Sequence, residues 1–502
     1  MKISRAVLGV LAGCMALLAG CSGADDSHVL HIFFTADVEG VFWSRPEPRL
    51  DNKEAGGYGV LKSFLNAQTG EYLLFDGGNW FGAVPEGTMS DKNTYVAELL
   101  PAIGYTAGTL SDNDFMFGWA NLREIVKNLS YPFVVSNLRL DNQLPWPLHD
   151  YQIRQVGDIK VGIFGLMDDQ TINKNETRWR GISALNPLDT AKEMAERLRG
   201  KGVDYVILLS ALGVPKEKGM DDNTIAQEAE GIDLILSSNQ DNEKPESEKI
   251  NNTLIVYPGA RFDSVAHIAV SFDKNKQVKN VVFTDEILLK EKYGEDEELA
   301  RRAQNLREMA RQKMTRHIAD AAEDIPTSFE HQSPAGYMLA QCVAKWARID
   351  GAILNGASVR SGFSEGPITE YDLYNAYPYA DNITFITIKT EAFMRALQAS
   401  LNAQDNFPQI AGFTAEYQKV PAGKLVKRVV LDNGHVLRPK ESYRFAVTDH
   451  ILAGGFEHDE FINATEFKNT FVEAREIMRT CLSRQKQLRK DPAYSQKWKQ
   501  VN

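Results

Sequence analysis

The sequence predicts an α/β protein of two domains joined by a charged helix. Short apolar or β-branched runs alternate with amphipathic helical patterns over most of the chain. A hairpin-like strand pair closes the first such array, and a second array follows a stretch rich in Glu, Arg, Lys and Ala. A length of 502 residues accommodates two to three domains. With 43% hydrophobic and 25% charged residues, 37 Gly and 19 Pro, the composition is that of a folded protein and excludes disordered or collagenous classes. Acidic residues outnumber basic ones 67 to 56, giving a net charge of −11, so no general field attracts phosphate backbones and a nucleic-acid binder is excluded. An anionic ligand must be held by local groups. Four Cys, two of them at positions 14 and 21, exclude a disulfide scaffold.

Taken in order, Lys2 and Arg5 precede an apolar stretch from Ala6 to Gly20, shorter than the roughly 20 residues of a spanning helix. It reads as a signal peptide over residues 1–20. Its end, Leu18-Ala19-Gly20-Cys21, resembles the lipobox of bacterial lipoproteins, which implies a lipid on Cys21. The same letters at Leu11-Ala12-Gly13-Cys14 would leave too short an apolar region. Residues 21–28 form a polar tether, and Ser22 points to the outer membrane within the cell envelope. Strands are predicted at Leu30–Thr35, Tyr72–Phe75, Phe133–Ser136, Lys160–Leu166, Tyr205–Ser210, Leu234–Ser237 and Leu254–Tyr257, with a helix at Leu188–Leu198. Val265–Phe272 and Val278–Phe283 flank Asp273-Lys274-Asn275-Lys276 as a hairpin and close a first domain over 29–290. Residues 291–318 read as a solvated connecting helix, because their apolar positions are sparse. The second domain, 319–463, has a helix at Gln332–Trp346, a strand at Ala352–Leu354, a strand at Ile383–Ile388, a helix at Glu391–Leu401, and strands near Val426–Leu431 and Tyr443–Val447. Residues 464–502 are polar and helical in pattern and read as a surface helix with a frayed tail. Cys342 is expected to be a buried helix residue, and its pairing with Cys481 is left open.

Nine blocks carry a family resemblance. Thr35-Ala36-Asp37-Val38-Glu39-Gly40 resembles the Thr-Asn-Asp-x-His-Gly opening of the 5′-nucleotidase family of metallophosphoesterases. Asp76-Gly77-Gly78-Asn79 is similar to its Asp-Ala-Gly-Asp. The run Gly104-Tyr105 to Thr109-Leu110-Ser111-Asp112-Asn113-Asp114-Phe115 is similar to its Gly-Tyr-Asp…Thr-Leu-Gly-Asn-His-Glu-Phe. Leu208 to Gly213 and Asp233 to Gln240 stand where the family has Leu-Leu-Ser-His-Leu-Gly and a strand ending in Gly-His-x-His or Gly-His-x-Gln. Asn355-Gly356-Ala357-Ser358-Val359-Arg360, Gly366 to Thr369, Tyr377-Pro378-Tyr379 and Leu452 to Gly455 complete the set. The resemblance implies a layered α/β/β/α metallophosphoesterase-like domain, a connecting helix and a C-terminal α/β domain of the 5′-nucleotidase type that supplies a nucleotide pocket.

Two-metal phosphoester hydrolysis requires carboxylates and neutral imidazoles around divalent ions about 3.5–4 Å apart, with one carboxylate bridging them. Under the resemblance the first metal falls to Asp37 and Glu39, and the bridging Asp is replaced by Asn79, a neutral amide that screens two dications poorly. The second metal's ligands become Asp112, Ala211 and Ser238, while the catalytic His aligns with Asn113 and its Asp partner with Met116. Among the blocks only Asp37 and Gln240 match the family's metal-centre letters. Between residues 29 and 290 the His are His31, His149 and His267, none of them in a block. Two readings of Asp37, Glu39, Asn79, Asp112, Asp114 and Gln240 stand: a single hard-ion site for Ca²⁺, Mg²⁺ or Mn²⁺, or polar loop residues left at strand ends after the metal site decayed. The second is preferred, so no cofactor and no catalytic residue is expected.

The second half keeps more of the pattern. Arg360 offers a bidentate fork for phosphate, Asn355 a donor and acceptor for a base or ribose edge, Tyr379 a stacking face, and Phe456 or His458 the second aromatic of a base sandwich. The resulting expectation is a lipid-anchored, catalytically degenerate family member that binds a nucleoside, nucleotide or protein partner. The alternative is an active metal-dependent phosphoric ester hydrolase with a rearranged site.

Overall fold

The computed structural model describes residues 28–501 apart from 83, 85, 87–93, 175–178, 214–219, 239–244, 260–261, 404–405, 422, 453–458 and 486. Cys21, Gln240, Phe456 and His458 lie outside the described residues. Two sheets stack face to face in the first domain. One has the order Val278–Ile287, Ser264–Phe272, His28–Thr35, Tyr72–Asp76, Ala107–Gly108; the other runs Glu246–Ile250, Thr253–Tyr257, Leu234–Ser237, Tyr205–Ala211, Ile159–Met167, Tyr151–Val156. The alternation along His28–Thr35 explains the layering. Leu30, Ile32 and Phe34 point between the sheets, where they meet Ile163, Ile207, Leu209, Leu236 and Val256. Phe33 points the other way, into the layer built on the helix Tyr58–Asn66. The helices Pro187–Gly200 and Asp222–Glu228 cover the far sheet. The result is the α/β/β/α order, with loops at the carboxyl ends of the parallel strands His28–Thr35 and Tyr72–Asp76 lying side by side.

Three expectations need correction. Phe133–Ser136 is not a strand but an extended crossing whose backbone bonds in turn to Gly108, His149 and Gly165. No single neighbour runs alongside it, so no ladder forms. The linker is not a solvated spacer. The helix Glu297–Met314, capped by Asp296, buries Leu299, Ala303, Leu306, Ala310 and Met314, and the first three join the core of the first domain. Those five positions recur at helical spacing, but the many charges on the other face conceal the narrow stripe.

In the second domain a five-stranded sheet, ordered Gln409–Ala411, Gly351–Leu354, Ser442–Thr448, Asn382–Lys389, Glu466–Glu473, lies between the helix Pro334–Ala347 on one face and Thr390–Asn402 on the other. Ser333 caps the first of these helices by accepting from the Gly336 N–H at 3.0 Å, with Pro334 in its first turn. The third correction concerns residues 464–502, which are not a frayed helical tail. Glu466–Glu473 is an edge strand of the main sheet, and Gln487–Leu488 and Trp498–Gln500 pair with His317–Ala321 and Phe413–Val420. The helix Ala474–Ser483 buries Ile477, Met478 and Leu482. Cys342, 1% exposed on its helix, is bonded to Cys481 with the two Cα atoms 5.6 Å apart. Among the described residues no helix is long and apolar enough to cross a membrane.

Candidate functional site

The sheet architecture brings the first two blocks together by backbone pairing. Asp37, Glu39 and Asn79 adopt positive φ of 52°, 49° and 59°. The N–H groups of Asp37, Glu39 and Gly40 donate to the carbonyls of Gly78, Asn79 and Trp80 at 3.2, 3.1 and 2.7 Å. In this zipped pair of loops the Asn79 side-chain amide donates to Asp37 Oδ1 at 2.7 Å. Both residues are buried, at 3% and 1% exposure, and Asn79 Oδ1 has no hydrogen-bond partner among the described residues. Glu39 is half-buried; a Cβ on Gly82 would lie 2.5 Å from the Glu39 Cβ, so that glycine is required by close approach.

Asp114 organises the loop from behind. Its Oδ2 accepts from the N–H groups of Asn79 and Ser111 at 2.9 and 2.8 Å, and its Oδ1 from that of Trp80 at 2.8 Å. Gly78 has φ 75°, and a Cβ there would stand 2.5 Å from Asp114 Oδ2. Asp76 accepts from the Gly78 N–H at 3.0 Å, the Trp80 indole at 3.0 Å and the Tyr131 hydroxyl at 2.8 Å. Burial pushes the Asp76 carboxyl up to about 6 and that of Asp114 up to about 8, against the hydrogen bonds that favour the charged form. Asp112 accepts from the Asn113 N–H at 2.9 Å at the start of the 3₁₀ turn Asp112–Phe115, and Asn113 is half-buried in the same turn. Met116, which closes that turn, packs against the apolar core.

These residues do not fit a dinuclear centre. The Asn79 amide proton sits on the Asp37 oxygen, where a bridging ligand would have to offer charge to two cations. Ala211 is buried and has no donor atom, and Ser238 Oγ gives its proton to the Ser210 carbonyl at 3.2 Å. Among the described residues no group of three or more His, Cys, Asp or Glu side chains is placed to hold a metal ion. His31 and His267 instead face each other, Nδ1 to Nε2 at 3.0 Å, with His267 stacked on Phe33. Asp222 escaped the sequence reading. It is buried behind the block positions and accepts from the hydroxyls of Ser210 and Ser237. Its one signal is the pair of serines at matching strand ends.

In the second domain Asn355 is fully buried. Its Oδ1 accepts from the Ala357 N–H at 3.2 Å, capping the turn Gly356–Ser358, while its Nδ2 has no partner among the described residues. Asn406 accepts from the same N–H at 2.9 Å. Arg360 is exposed, reaches the Ala357 carbonyl at 3.5 Å and lies 5.9 Å from the centre of the Phe329 ring. Tyr379, 36% exposed, meets Tyr377 edge to face at 6.2 Å. The Arg360 N–H donates to the Ala376 carbonyl at 2.9 Å, which sets Arg360 beside the loop that carries Tyr379; burial raises the pKa of the Tyr379 hydroxyl and the Arg360 charge opposes that rise. Phe329 and Asn406 were not legible, since both sit in loops without periodicity. The domains touch next to the first site, where the Tyr374 hydroxyl donates to the Gly82 carbonyl at 3.3 Å.

The family model described as 5′-nucleotidase, C-terminal domain, matches residues 314–463. The chain is 23% identical to a 5′-nucleotidase of Vibrio cholerae, over 94% of this chain and 93% of that protein. It superposes on the crystal structure of a 5′-nucleotidase precursor from Thermus thermophilus with a TM-score of 0.67 at 20% identity, covering 95% of this chain and 100% of that one. The structure of an NAD nucleotidase from Haemophilus influenzae gives a TM-score of 0.58 at 15% identity, covering 95% of this chain and 100% of that one. These structural likenesses concern the fold.

Proposed function

Because this chain belongs to the 5′-nucleotidase family of metallophosphoesterases, we propose that it is a lipid-anchored member whose dinuclear centre has eroded and whose second domain binds a nucleoside or nucleotide without hydrolysing it. The observation that carries this reading is the 2.7 Å hydrogen bond from Asn79 to Asp37. A neutral amide donor stands where the reaction needs an anionic bridge to screen two dications. Arg360 and Tyr379 supply a charged fork and a stacking face.

The test is calorimetry of the mature chain with AMP, adenosine and UDP-glucose. Association costs at least about 4 kcal/mol, so micromolar to millimolar dissociation constants are expected. Tyr379→Ala should weaken binding by about 0.5–1.5 kcal/mol and Arg360→Ala by about 1.5–3 kcal/mol. Binding that is absent throughout, or unchanged in both variants, removes the nucleotide reading and favours a protein partner.

A second reading is favoured by the orphaned Asn79 Oδ1: one hard divalent cation held beside Asp37, with residual hydrolysis. A phosphatase screen with Mn²⁺, Co²⁺, Zn²⁺, Ca²⁺ and Mg²⁺ separates the two. Turnover near about 10 s⁻¹, abolished by Asp37→Ala, would establish the enzyme. For the anchor, Cys21→Ser is expected to move the protein from the membrane to the soluble fraction, and retention after an alkaline wash would show another attachment.

A further inference from the structure

The segment beyond the family-matched residues holds the loop that presents Tyr379. Arg475, 7% exposed at the start of the helix Ala474–Ser483, donates through Nη1 to the carbonyls of Tyr377 and Pro378 at 3.2 and 2.9 Å. These are the two carbonyls directly before Tyr379. Nη2 donates to Glu473 Oε1 at 2.6 Å, and the guanidinium carbon lies 4.8 Å from the centre of the Tyr374 ring. The far side of the loop is fastened by the same segment, through the Ala474 N–H to the Asp381 carbonyl at 2.8 Å and the pairing of Asn382 with Glu473. Across the loop the Tyr377 hydroxyl donates to Asp381 Oδ2 at 2.8 Å. Further along the helix, Arg479 donates to Glu370 Oε2 at 2.7 Å and Cys481 is bonded to Cys342.

We propose that Arg475 is a positioning residue for ligand recognition: by holding the Tyr377 and Pro378 carbonyls it sets the direction in which the Tyr379 ring faces the Arg360 side of the second domain. The ligand is a nucleoside or nucleotide whose base stacks on that ring, so this inference rests on the nucleotide reading above. An arginine suits the task because one planar cation serves two carbonyls and a carboxylate at once, whereas a lysine presents a point charge without the rigid fork. A loop held in its bound geometry also avoids the ordering cost that a free loop meets on binding.

The experiment compares wild type, Arg475→Lys and Arg475→Gln in two measurements. Nitration of Tyr379 by tetranitromethane, read by mass spectrometry, reports ring exposure without any ligand. Calorimetry with AMP reports affinity, in a cycle with Tyr379→Ala. Arg475→Lys is expected to change the Tyr379 nitration rate severalfold while the thermal transition remains cooperative. It should weaken AMP binding between about twofold and tenfold, the range of one stacked ring. In the double variant the two losses should not add, because both act through one ring. Arg475→Gln, uncharged, is the second variant should the lysine variant fail to fold. An unchanged nitration rate in a folded variant, or additive losses of affinity, overturns the positioning role. Wild type that binds no AMP, with nitration still altered by Arg475→Lys, overturns the nucleotide reading and the ligand assignment, and supports the positioning of the ring.

Discussion

Removal of the Cys342–Cys481 bridge, by reduction or by replacing both Cys with Ala, is expected to lower the stability of the second domain by about 2–4 kcal/mol. The bonded residues are separated by 139 positions, and in the chain-entropy account a loop of that order restrains the unfolded chain strongly. The bond also joins two helices, Pro334–Ala347 and Ala474–Ser483, whose buried faces share one core through Cys342, Val343, Ile477, Met478 and Leu482. The strand Glu466–Glu473, which leads into the second of these helices, lies at the sheet edge and pairs with one strand, Asn382–Lys389. Urea unfolding of the oxidised and Ala-substituted chains measures the loss as a lower transition midpoint. An identical midpoint in both would mean that the bridge restrains nothing that packing does not already hold.

Asp114→Asn is expected to destabilise the first domain by about 1–3 kcal/mol, and Asp114→Ala by more. Three buried N–H groups, those of Asn79, Trp80 and Ser111, converge on the two carboxyl oxygens. An asparagine offers one oxygen and turns a donor toward the others, while alanine leaves all three without an acceptor. The cost depends on pH in a defined sense. Burial holds the Asp114 proton up to about pH 8 and the Asp76 proton up to about pH 6, whereas an unfolded aspartate releases its proton near pH ~3.9. Carboxyls that bind protons more tightly folded than unfolded add stability that is complete below about pH 4 and is lost as the pH rises through those values. The gap between wild type and Asp114→Asn should therefore be widest at acidic pH and narrow toward about pH 8. Carboxylates of the opposite kind, such as Glu47 beside Arg49, are common to both chains and cancel in the difference. A gap that widens with pH would show that Asp114 is charged in the folded protein.

Which donor atoms the blocks offer was legible in the letters, because donor chemistry is a property of residue type. No arrangement of Ala211, Ser238 and Asn79 can reproduce imidazole and bridging carboxylate, whatever the fold. The strands were legible for a related reason: the inward set Leu30, Ile32 and Phe34 alternates with the outward Phe33, and period 2 is a property of the backbone itself. Role was not legible where it depends on which distant segments meet. Asp114 reads as one more acid in a polar block, yet its partners Asn79 and Trp80 arrive 35 and 34 residues away. The helix Glu297–Met314 reads as solvated because its charges outnumber the stripe that docks. Residues 464–502 read as a tail because their own apolar content is low, and only pairing with Asn382–Lys389, Phe413–Val420 and His317–Ala321 makes them part of the sheets. The sequence by itself determined the fold class, since periodicity is local. Tertiary structure decided what Asn79, Asp114 and Arg475 hold, because a hydrogen bond needs a partner within about 3 Å and local sequence does not specify which distant segment supplies it.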